Sequence, residues 1–455
     1  MSEDRERLDD AIHVLHGEEG TGTIRRLLYA FYLVVILGGV YGFNLLRATL
    51  VTSDPAWLAQ VASVWGGLAG LALLAAILLL ARWVGGVRGP VVPQLPFIDS
   101  VVASGLDRAV VLHELGLATL LGGAGIGFLT GALVGGAVLG AGFGGVPGVL
   151  LAIALGTVIG LVVAVTALVG QRAASGGRIE GSLGALLRGL RLDDLRTHAV
   201  RTTHVGGAVL AGDLRAARLD VAAPVTRARS ARLRSRGRFV TVVSRDLLGL
   251  RRAPGRVVSG ALGLGTAYAL LGVSLTQPAA PRIVGILAMA GAYFAFGALA
   301  EGVRLVADNA GTPPLLGLGF RAEASLHLVI PMLGALLIGM PVTATVAKLT
   351  RADVPLAMGL AAALTTILAG ATLMAAFRGA PPDLAFIGEI GPMTMAYWYA
   401  RPLTLAALSG GLLASASADL GPRAPLLLAS GLGTGAFTIW YGLHLARKLE
   451  LGHRI

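Results

Sequence analysis

Apolar residues in this chain form long uninterrupted runs, and short polar segments separate one run from the next. Ten runs contain no Asp, Glu, Lys or Arg, and they are 17 to 27 residues long. A helix needs about 20 apolar residues to cross the hydrocarbon core of a bilayer, so the pattern predicts ten membrane helices. The runs are Leu27–Leu46, Trp57–Ala81, Leu115–Ala141, Gly148–Gln171, Val257–Gln277, Ile283–Ala300, Ala324–Ala347, Val354–Phe377, Pro402–Ala418 and Ala424–Ala446.

The composition also predicts a membrane protein. The hydrophobic fraction is 55% and the mean hydropathy is +0.77, whereas an ordinary soluble domain has roughly 45–50% apolar residues. The sequence therefore predicts an all-α polytopic membrane protein of about ten transmembrane helices in two loosely repeated halves. The tract Pro381–Tyr399 contains Pro, Gly, Asp383 and Glu389, so we expect it to be interfacial or re-entrant rather than spanning.

Positive charge is concentrated in one block of the chain. Residues Gln171–Arg256 contain 18 Arg and 6 acidic residues, a net charge of +12 that equals the charge of the whole protein. Because Arg and Lys accumulate in cytoplasmic loops, this block is predicted to be cytoplasmic. The short, weakly charged loops then lie outside, and both termini are cytoplasmic. Abundant Arg, Ala and Gly are typical of a high-GC bacterial genome, so we expect a multi-pass protein of the bacterial inner (plasma) membrane.

Five segments follow from this topology: a cytoplasmic N-terminal segment (1–23), a first transmembrane half of four spans (24–171), an Arg-rich cytoplasmic linker (172–256), a second half of about six spans (257–446) and a cytoplasmic tail (447–455). The first 23 residues lack the apolar core of a signal peptide, so the first span is expected to act as the insertion signal.

A segment rich in Gly and Pro follows the second span of each half, and this recurrence indicates an internal repeat. Residues 96–112 and 315–326 in these segments show short amphipathic patterns. Such helices can lie on the membrane surface or dock a cytoplasmic partner. Their matching positions favour docking, for which the candidate residues are Asp107, Arg108, Arg321 and Glu323.

Six arginines lie within twelve residues of the linker: Arg227, Arg229, Arg232, Arg234, Arg236 and Arg238. A basic run beside a membrane most often contacts anionic lipid, and docking on an acidic partner surface is the alternative. Nucleic-acid binding is not expected, because Phe239 is the one aromatic residue nearby that could stack on bases.

Four glycines recur every four residues in the third span: Gly123, Gly127, Gly131 and Gly135. They share one helix face, and small residues on such a face let another helix approach closely. Tight helix packing is the main interpretation, and a sliding or gating seam is the alternative.

Several kinds of chemistry have no signature in this sequence. Neither Lys348 nor Lys448 lies in a Walker A loop, and His113-Glu114 lacks the second His of a zinc-protease helix. The chain has no cysteine, and the ten runs contain no carboxylate of the kind that relays protons. We therefore assign no catalytic, cofactor-binding or metal-binding residue, and we do not expect the chain to be an enzyme on its own.

The layout resembles the membrane subunit of an ABC transporter, of the ABC-2-type export permeases found in actinobacteria. The resemblance rests on Asp107-Arg108 after the second span, on Val209-Leu210-Ala211-Gly212-Asp213-Leu214-Arg215, and on the stretch Arg245–Pro254. It implies a separate nucleotide-binding ATPase subunit, carrying ATP and Mg, that docks on cytoplasmic coupling helices. A typical half-permease of this kind has six spans rather than about ten, so pairing with a second permease stays open.

These features together predict a permease that exports a hydrophobic or amphipathic compound, such as a lipid, a peptide or a natural product. The alternative is a non-transporting membrane scaffold or sensor whose basic block recruits a cytoplasmic partner.

Overall fold

The structure is a computed structural model that describes most of the chain. The described residues are 5–7, 39, 42–53, 55, 58–59, 63–176, 181–210, 233, 237–310, 312, 316–379, 381–382, 391–417 and 424–452. Within them every regular element is a helix and none is a strand. The chain divides into two compact units, Met1–Ala223 and Pro224–Ile455, and the division falls inside the segment predicted as the Arg-rich linker.

In the part of the first unit that the structure describes, three helices have 24 residues or more and the others are shorter. Its helices are α1 (Phe43–Thr52), α2 (Val64–Val87), α3 (Leu95–Ser100), α4 (Arg108–Val111), α5 (His113–Gly140), α6 (Val146–Ala174), α7 (Leu183–Arg188) and α8 (Leu192–Leu210), with a 3₁₀ turn at Val102–Ser104. The long helices α5 and α6 form a hairpin. Gly142 ends α5 at a φ of 84°, a left-handed conformation that glycine adopts without strain, and Pro147 lies in the first turn of α6.

Glycines hold α5 and α6 at backbone contact. A Cβ at Gly127 would overlap the carbonyl of Gly156, and one at Gly131 would overlap that of Ala152. At Gly135 the added Cβ would lie 2.9 Å from the Cα of Val149. The four glycines that the sequence singles out therefore face α6, and any larger side chain there would separate the two helices.

The second unit is a larger bundle around one buried helix. Its helices are α9 (Arg238–Arg252), α10 (Pro254–Thr276), α11 (Arg282–Leu299), α12 (Glu301–Asp308), α13 (Phe320–Leu326), α14 (Val329–Leu349), α15 (Val354–Ala376), α16 (Gly391–Leu405), α17 (Gly411–Ser417) and α18 (Ala424–Gly452). Helix α15 is the centre of the apolar core, with Leu364, Ile367 and Leu368 fully buried. The buried hydroxyl of Tyr268 on α10 lies 2.5 Å from that of Thr365 on α15, which satisfies both polar groups.

Eight helices among the described residues are long and apolar enough to cross a membrane. They are Gly66–Val87, His113–Gly140, Val146–Ala174, Pro254–Thr276, Arg282–Leu299, Phe320–Leu349, Val354–Ala376 and Pro425–Gly452. The chain is therefore an all-α, multi-pass membrane protein, as the sequence predicts. The count of ten stays a prediction, because the first apolar run, Leu27–Leu46, lies mostly outside the described residues.

The ninth apolar run forms an interrupted helix. Helix α16 contains Pro402 and ends at Leu405, a π-helical segment occupies Ala406–Gly410, and α17 continues to Ser417. Proline inside a helix removes one backbone hydrogen bond and bends the helix. Glycines then fit the segment against α11, because a Cβ at Gly411 would lie 2.5 Å from the Cα of Ile286. In the tract Pro381–Tyr399, residues 383–390 lie outside the described residues and helix begins at Gly391.

Candidate functional site

Each unit carries a group of short helices where several of its long helices end. In the first unit this group, the first cluster, consists of residues 88–112 and 183–204. Gln171 of α6 ties it to the spans: its side-chain oxygen accepts from the Val91 amide at 3.1 Å and its nitrogen donates to the Val91 carbonyl at 2.8 Å. Arg201 of α8 donates to the Val87 carbonyl at 2.7 Å. The start of the Arg-rich linker therefore folds back onto the Gly-Pro segment.

Both predicted docking residues of the first unit are engaged inside the first cluster. The Asp107 carboxylate caps α4 by accepting from the Ala109 amide at 2.9 Å, and it pairs with Arg188 at 3.0 Å. The hydrogen bond from Ala109 holds the pKa of Asp107 below its usual value; Arg188 acts in the same direction and burial opposes both. Arg108 donates to the Leu190 carbonyl at 2.7 Å. These contacts hold the short helices of the first cluster together.

A buried histidine completes the first cluster. His198 of α8 is 5% exposed, and its Nδ1 has no hydrogen-bond partner among the described residues. Burial lowers the pKa of His198, because the charged ring loses its hydration; a hydrogen bond with the Gly86 backbone opposes this effect. His113, by contrast, is exposed at the start of α5.

The second cluster, in the second unit, consists of Arg245 and Asp246 on α9, Gly302 on α12, Glu323 on α13 and His327. The His327 ring is fully buried between two partners. Its Nδ1 lies 2.6 Å from Asp246 Oδ2, and its Nε2 lies 2.6 Å from Arg245 Nη2. Arg245 also reaches Glu323 at 3.5 Å.

These partners fix the hydrogen on the His327 ring. A guanidinium can only donate, so Nε2 accepts from Arg245 and Nδ1 carries the hydrogen that it donates to Asp246. Gly302 lies against this pair, and a Cβ there would overlap Asp246 Oδ1 and His327 Nδ1. The arrangement joins α9 to α13 and His327 through a compact set of alternating charges, and α12 packs against it at Gly302.

Sequence reasoning missed most of the second cluster. It proposed Glu323 for docking, whereas the structure places this carboxylate next to Arg245. Asp246 and His327 are 81 positions apart in the chain, and no spacing connects them. The signal that could have found them is the pair of opposite charges, Arg245-Asp246, within a strongly amphipathic helix between the linker and a span.

Arg321 differs from the other three predicted docking residues. It lies on α13 with an exposed side chain, and it forms no ion pair with any residue that the structure describes. In the basic run, Arg238 is the first residue of α9, with its Nη1 3.5 Å from the Gly317 carbonyl oxygen. The other five arginines of that run lie outside the described residues.

A groove opens beside the π-helical segment in the second unit. It has a volume of about 480 Å³ and lies between α15, α16 and α18. Arg401 lines it from α16 and Leu408 from the π-helical segment, Phe437 and Tyr441 line it from α18, and Met374 lines it from α15. π-helical turns occur frequently at functional sites, so this groove is a candidate binding site. Among the described residues no group of His, Asp and Glu side chains could hold a metal ion.

Comparisons of this chain with protein-family models, with curated proteins and with solved structures find no match.

Proposed function

We propose that the chain is the membrane-spanning permease subunit of an ABC-type transporter. In this proposal it exports a hydrophobic or amphipathic compound across the bacterial plasma membrane. A separate ATPase subunit binds the cytoplasmic helix ends, and both termini of the chain are cytoplasmic. The chain itself supplies the pathway and the docking surface, and ATP with Mg binds to the partner.

The observation that carries the proposal is the pair of clusters at the helix ends. Each cluster is connected to a long helix: Gln171 of α6 ties the first cluster to that span, and His327 of the second cluster lies two residues before α14 begins. A partner that moved either cluster would therefore move the spans attached to it. Such attachment is what a device that transmits motion from an ATPase into a membrane bundle requires.

Arg321 gives the cleanest test of docking. We expect Arg321→Glu to weaken association with the ATPase, because it reverses an exposed charge that has no ion-pair partner among the described residues. Reversing Arg108 is less informative, because Arg108 holds Leu190 inside the first cluster. The measurement is co-purification of the tagged chain from its native host in mild detergent, followed by quantitative mass spectrometry.

The matched control is Arg282→Glu. Arg282 is also exposed, begins α11 in the same unit and forms no ion pair among the described residues. A subunit with Walker motifs should accompany the wild type and the control stoichiometrically and be depleted with Arg321→Glu. If no ATPase accompanies an intact wild-type chain, the transporter proposal fails and a scaffold or sensor is favoured. Equal depletion in both variants would contradict a docking role for Arg321.

Orientation can be tested separately, because the chain has no cysteine and any introduced thiol is unique. A membrane-impermeant maleimide should label Gly144→Cys, in the loop between α5 and α6, in intact spheroplasts. Ala322→Cys, on the exposed side of α13, should be labelled only after the membrane is opened. The reverse pattern would overturn the proposed topology and leave the question of transport open.

A further inference from the structure

The groove beside the π-helical segment has a cation at one end and an apolar surface along the rest of its length. Arg401 is exposed at one end and forms no ion pair with any residue that the structure describes. Leu408, 51% exposed, and Phe437, 59% exposed, lie further along it. From position 401 to position 408 the helix rises by about 10 Å at 1.5 Å per residue.

The serine and threonine hydroxyls of the groove are engaged within their own helices. Thr404 donates to the Arg401 carbonyl at 3.0 Å, Ser409 to the Leu405 carbonyl at 2.6 Å and Thr438 to the Gly435 carbonyl at 2.9 Å. The side-chain donors that line the groove and can meet a ligand are therefore the guanidinium of Arg401 and the hydroxyls of Tyr397 and Tyr441. A ligand that fits must combine a negative head with an apolar chain.

The position of Arg401 along the spans matches the depth of lipid headgroups. Met374, which lines the same groove, lies two residues before α15 ends at Ala376. Close by, the Arg378 guanidinium lies 4.8 Å from the ring centre of Trp398 and 5.0 Å from that of Tyr399. Trp, Tyr and Arg are enriched at membrane–water interfaces, where apolar and polar surroundings meet. The cation therefore lies at the interface, and Leu408 and Phe437 lie deeper in the hydrocarbon.

We propose that this groove binds one anionic phospholipid from the adjoining leaflet. The phosphate accepts hydrogen bonds from Arg401, and one acyl chain lies along Leu405, Leu408 and Phe437. A volume of about 480 Å³ is within the range of roughly 300–1,000 Å³ found for small-molecule sites. A zwitterionic headgroup carries its own cation next to the phosphate, so an anionic headgroup complements Arg401 better. The proposal goes beyond the permease function and does not depend on it.

The experiment measures lipid retention by the purified full-length chain. The protein is equilibrated with equal amounts of phosphatidylglycerol and phosphatidylcholine that have identical acyl chains, and native mass spectrometry counts the lipids that stay bound. We expect the wild type to retain phosphatidylglycerol preferentially. Arg401→Gln should lower that preference roughly tenfold, the loss expected for one charge-assisted hydrogen-bonded contact. Arg401→Lys, which keeps the charge, should retain part of it.

Two further variants distinguish a specific lipid-binding site from a general effect of net charge. Arg282→Gln removes an exposed arginine with the same change in net charge, at a different helix end, and should bind lipid as the wild type does. Leu408→Trp fills the groove with Arg401 intact and should also lower phosphatidylglycerol retention. Undiminished retention by Arg401→Gln or by Leu408→Trp would overturn the proposal. An equal loss with Arg282→Gln would do the same, because it would show that net charge alone sets the preference.

Discussion

The two units bury their membrane helices to very different extents. In the first unit the apolar windows of the three spans are 0%, 11% and 6% buried, whereas in the second unit the five values run from 22% to 72%. The second unit thus has a helix, α15, that is surrounded by its neighbours, whereas none of the three spans described in the first unit is. Because lipid covers exposed apolar side chains in a membrane, low burial of a span does not destabilise it. It means that backbone contact at glycines, rather than interlocked large side chains, holds α5 to α6.

The two clusters differ in a similar way. The first has an apolar core, which includes Val91, Ile98 and Leu187, and its histidine, His198, has Nδ1 without a partner among the described residues. In the second, both nitrogens of His327 have charged partners, Asp246 and Arg245. The first cluster therefore combines an apolar core with charge contacts at its surface, such as that of Asp107 with Arg188, whereas directional charge contacts around a buried histidine hold the second. The two clusters should respond differently to substitution and to pH.

The largest effect should come from the glycine face of the first unit. We expect Gly127→Leu to destabilise the unit by about 3 kcal/mol or more, because the side chain would overlap the Gly156 backbone and force α5 and α6 apart. Gly122→Leu is the matched control, because its Cβ position on the same helix meets nothing within 4 Å. Thermal unfolding in nanodiscs, with hydrogen exchange to locate the loss, measures both. Equal stability of the two variants would contradict the packing described.

In the second unit we expect Gly302→Ala to cost about 1–3 kcal/mol, because the added methyl group overlaps Asp246 and His327. Gly249→Ala on α9 is the control: its Cβ position is open, so the change should stabilise the helix by about 0.5–1 kcal/mol. Hydrogen exchange should increase in α9, α12 and α13 for the first variant alone. Unchanged exchange there would mean that the second cluster tolerates rearrangement.

A smaller effect is expected at the helix cap of the first cluster. Asp107→Ala removes the acceptor for the Ala109 amide and the partner of Arg188, and should cost about 1 kcal/mol. Asp99→Ala removes a pair with Arg196 in which both side chains are about half exposed, and such pairs are worth roughly 0.2–1 kcal/mol. Chemical unfolding of both variants gives the difference. A larger loss of unfolding free energy for Asp99→Ala than for Asp107→Ala would contradict this prediction.

The smallest effect should be the pH response of His198. Its pKa is lowered in the folded chain because the ring is buried, whereas the unfolded chain takes up the proton near the usual value of 6.5. Acid therefore favours the unfolded state. The contribution of His198 to the stability of the first unit is fully present above about pH 6.5 and is lost as the pH falls below that value. His198→Phe should remove part of this pH dependence, measured as unfolding temperature between pH 7.5 and 5. His113→Phe makes the same replacement at an exposed position and is the control for the introduced phenylalanine.

The helices themselves could be predicted because length and hydropathy suffice to define a span. The runs Leu115–Ala141 and Val354–Phe377 correspond closely to α5 and α15. The glycine spacing also predicts which face of α5 meets another helix, because a period of four places these residues on one side.

The contents of the clusters could not be predicted in the same way. Asp107 and Arg108 have the charge and position of surface docking residues, but their partners, Arg188 and Leu190, lie in the linker about 80 positions away. Such contacts depend on how the short helices of the linker fold back onto the Gly-Pro segment, and no local sequence pattern predicts that. The interruption at Ala406–Gly410 is equally hidden, because a π-helical segment has no sequence signature beyond the nearby Pro402.

The π-helical segment determines the direction in which the side chains of the following helix, α17, point. One extra residue in a single turn rotates the following helix by about 100° relative to an uninterrupted α-helix. Arg401 and Leu408 can therefore line the groove while Gly411 faces α11. In an uninterrupted α-helix Leu408 and Gly411, three residues apart, would be neighbours on one face. The inserted residue therefore turns the side that packs on α11 away from the side that lines the groove. A single-residue deletion between 406 and 410 should restore the α-helical phase and separate α17 from α11, which cross-linking of introduced cysteine pairs would detect.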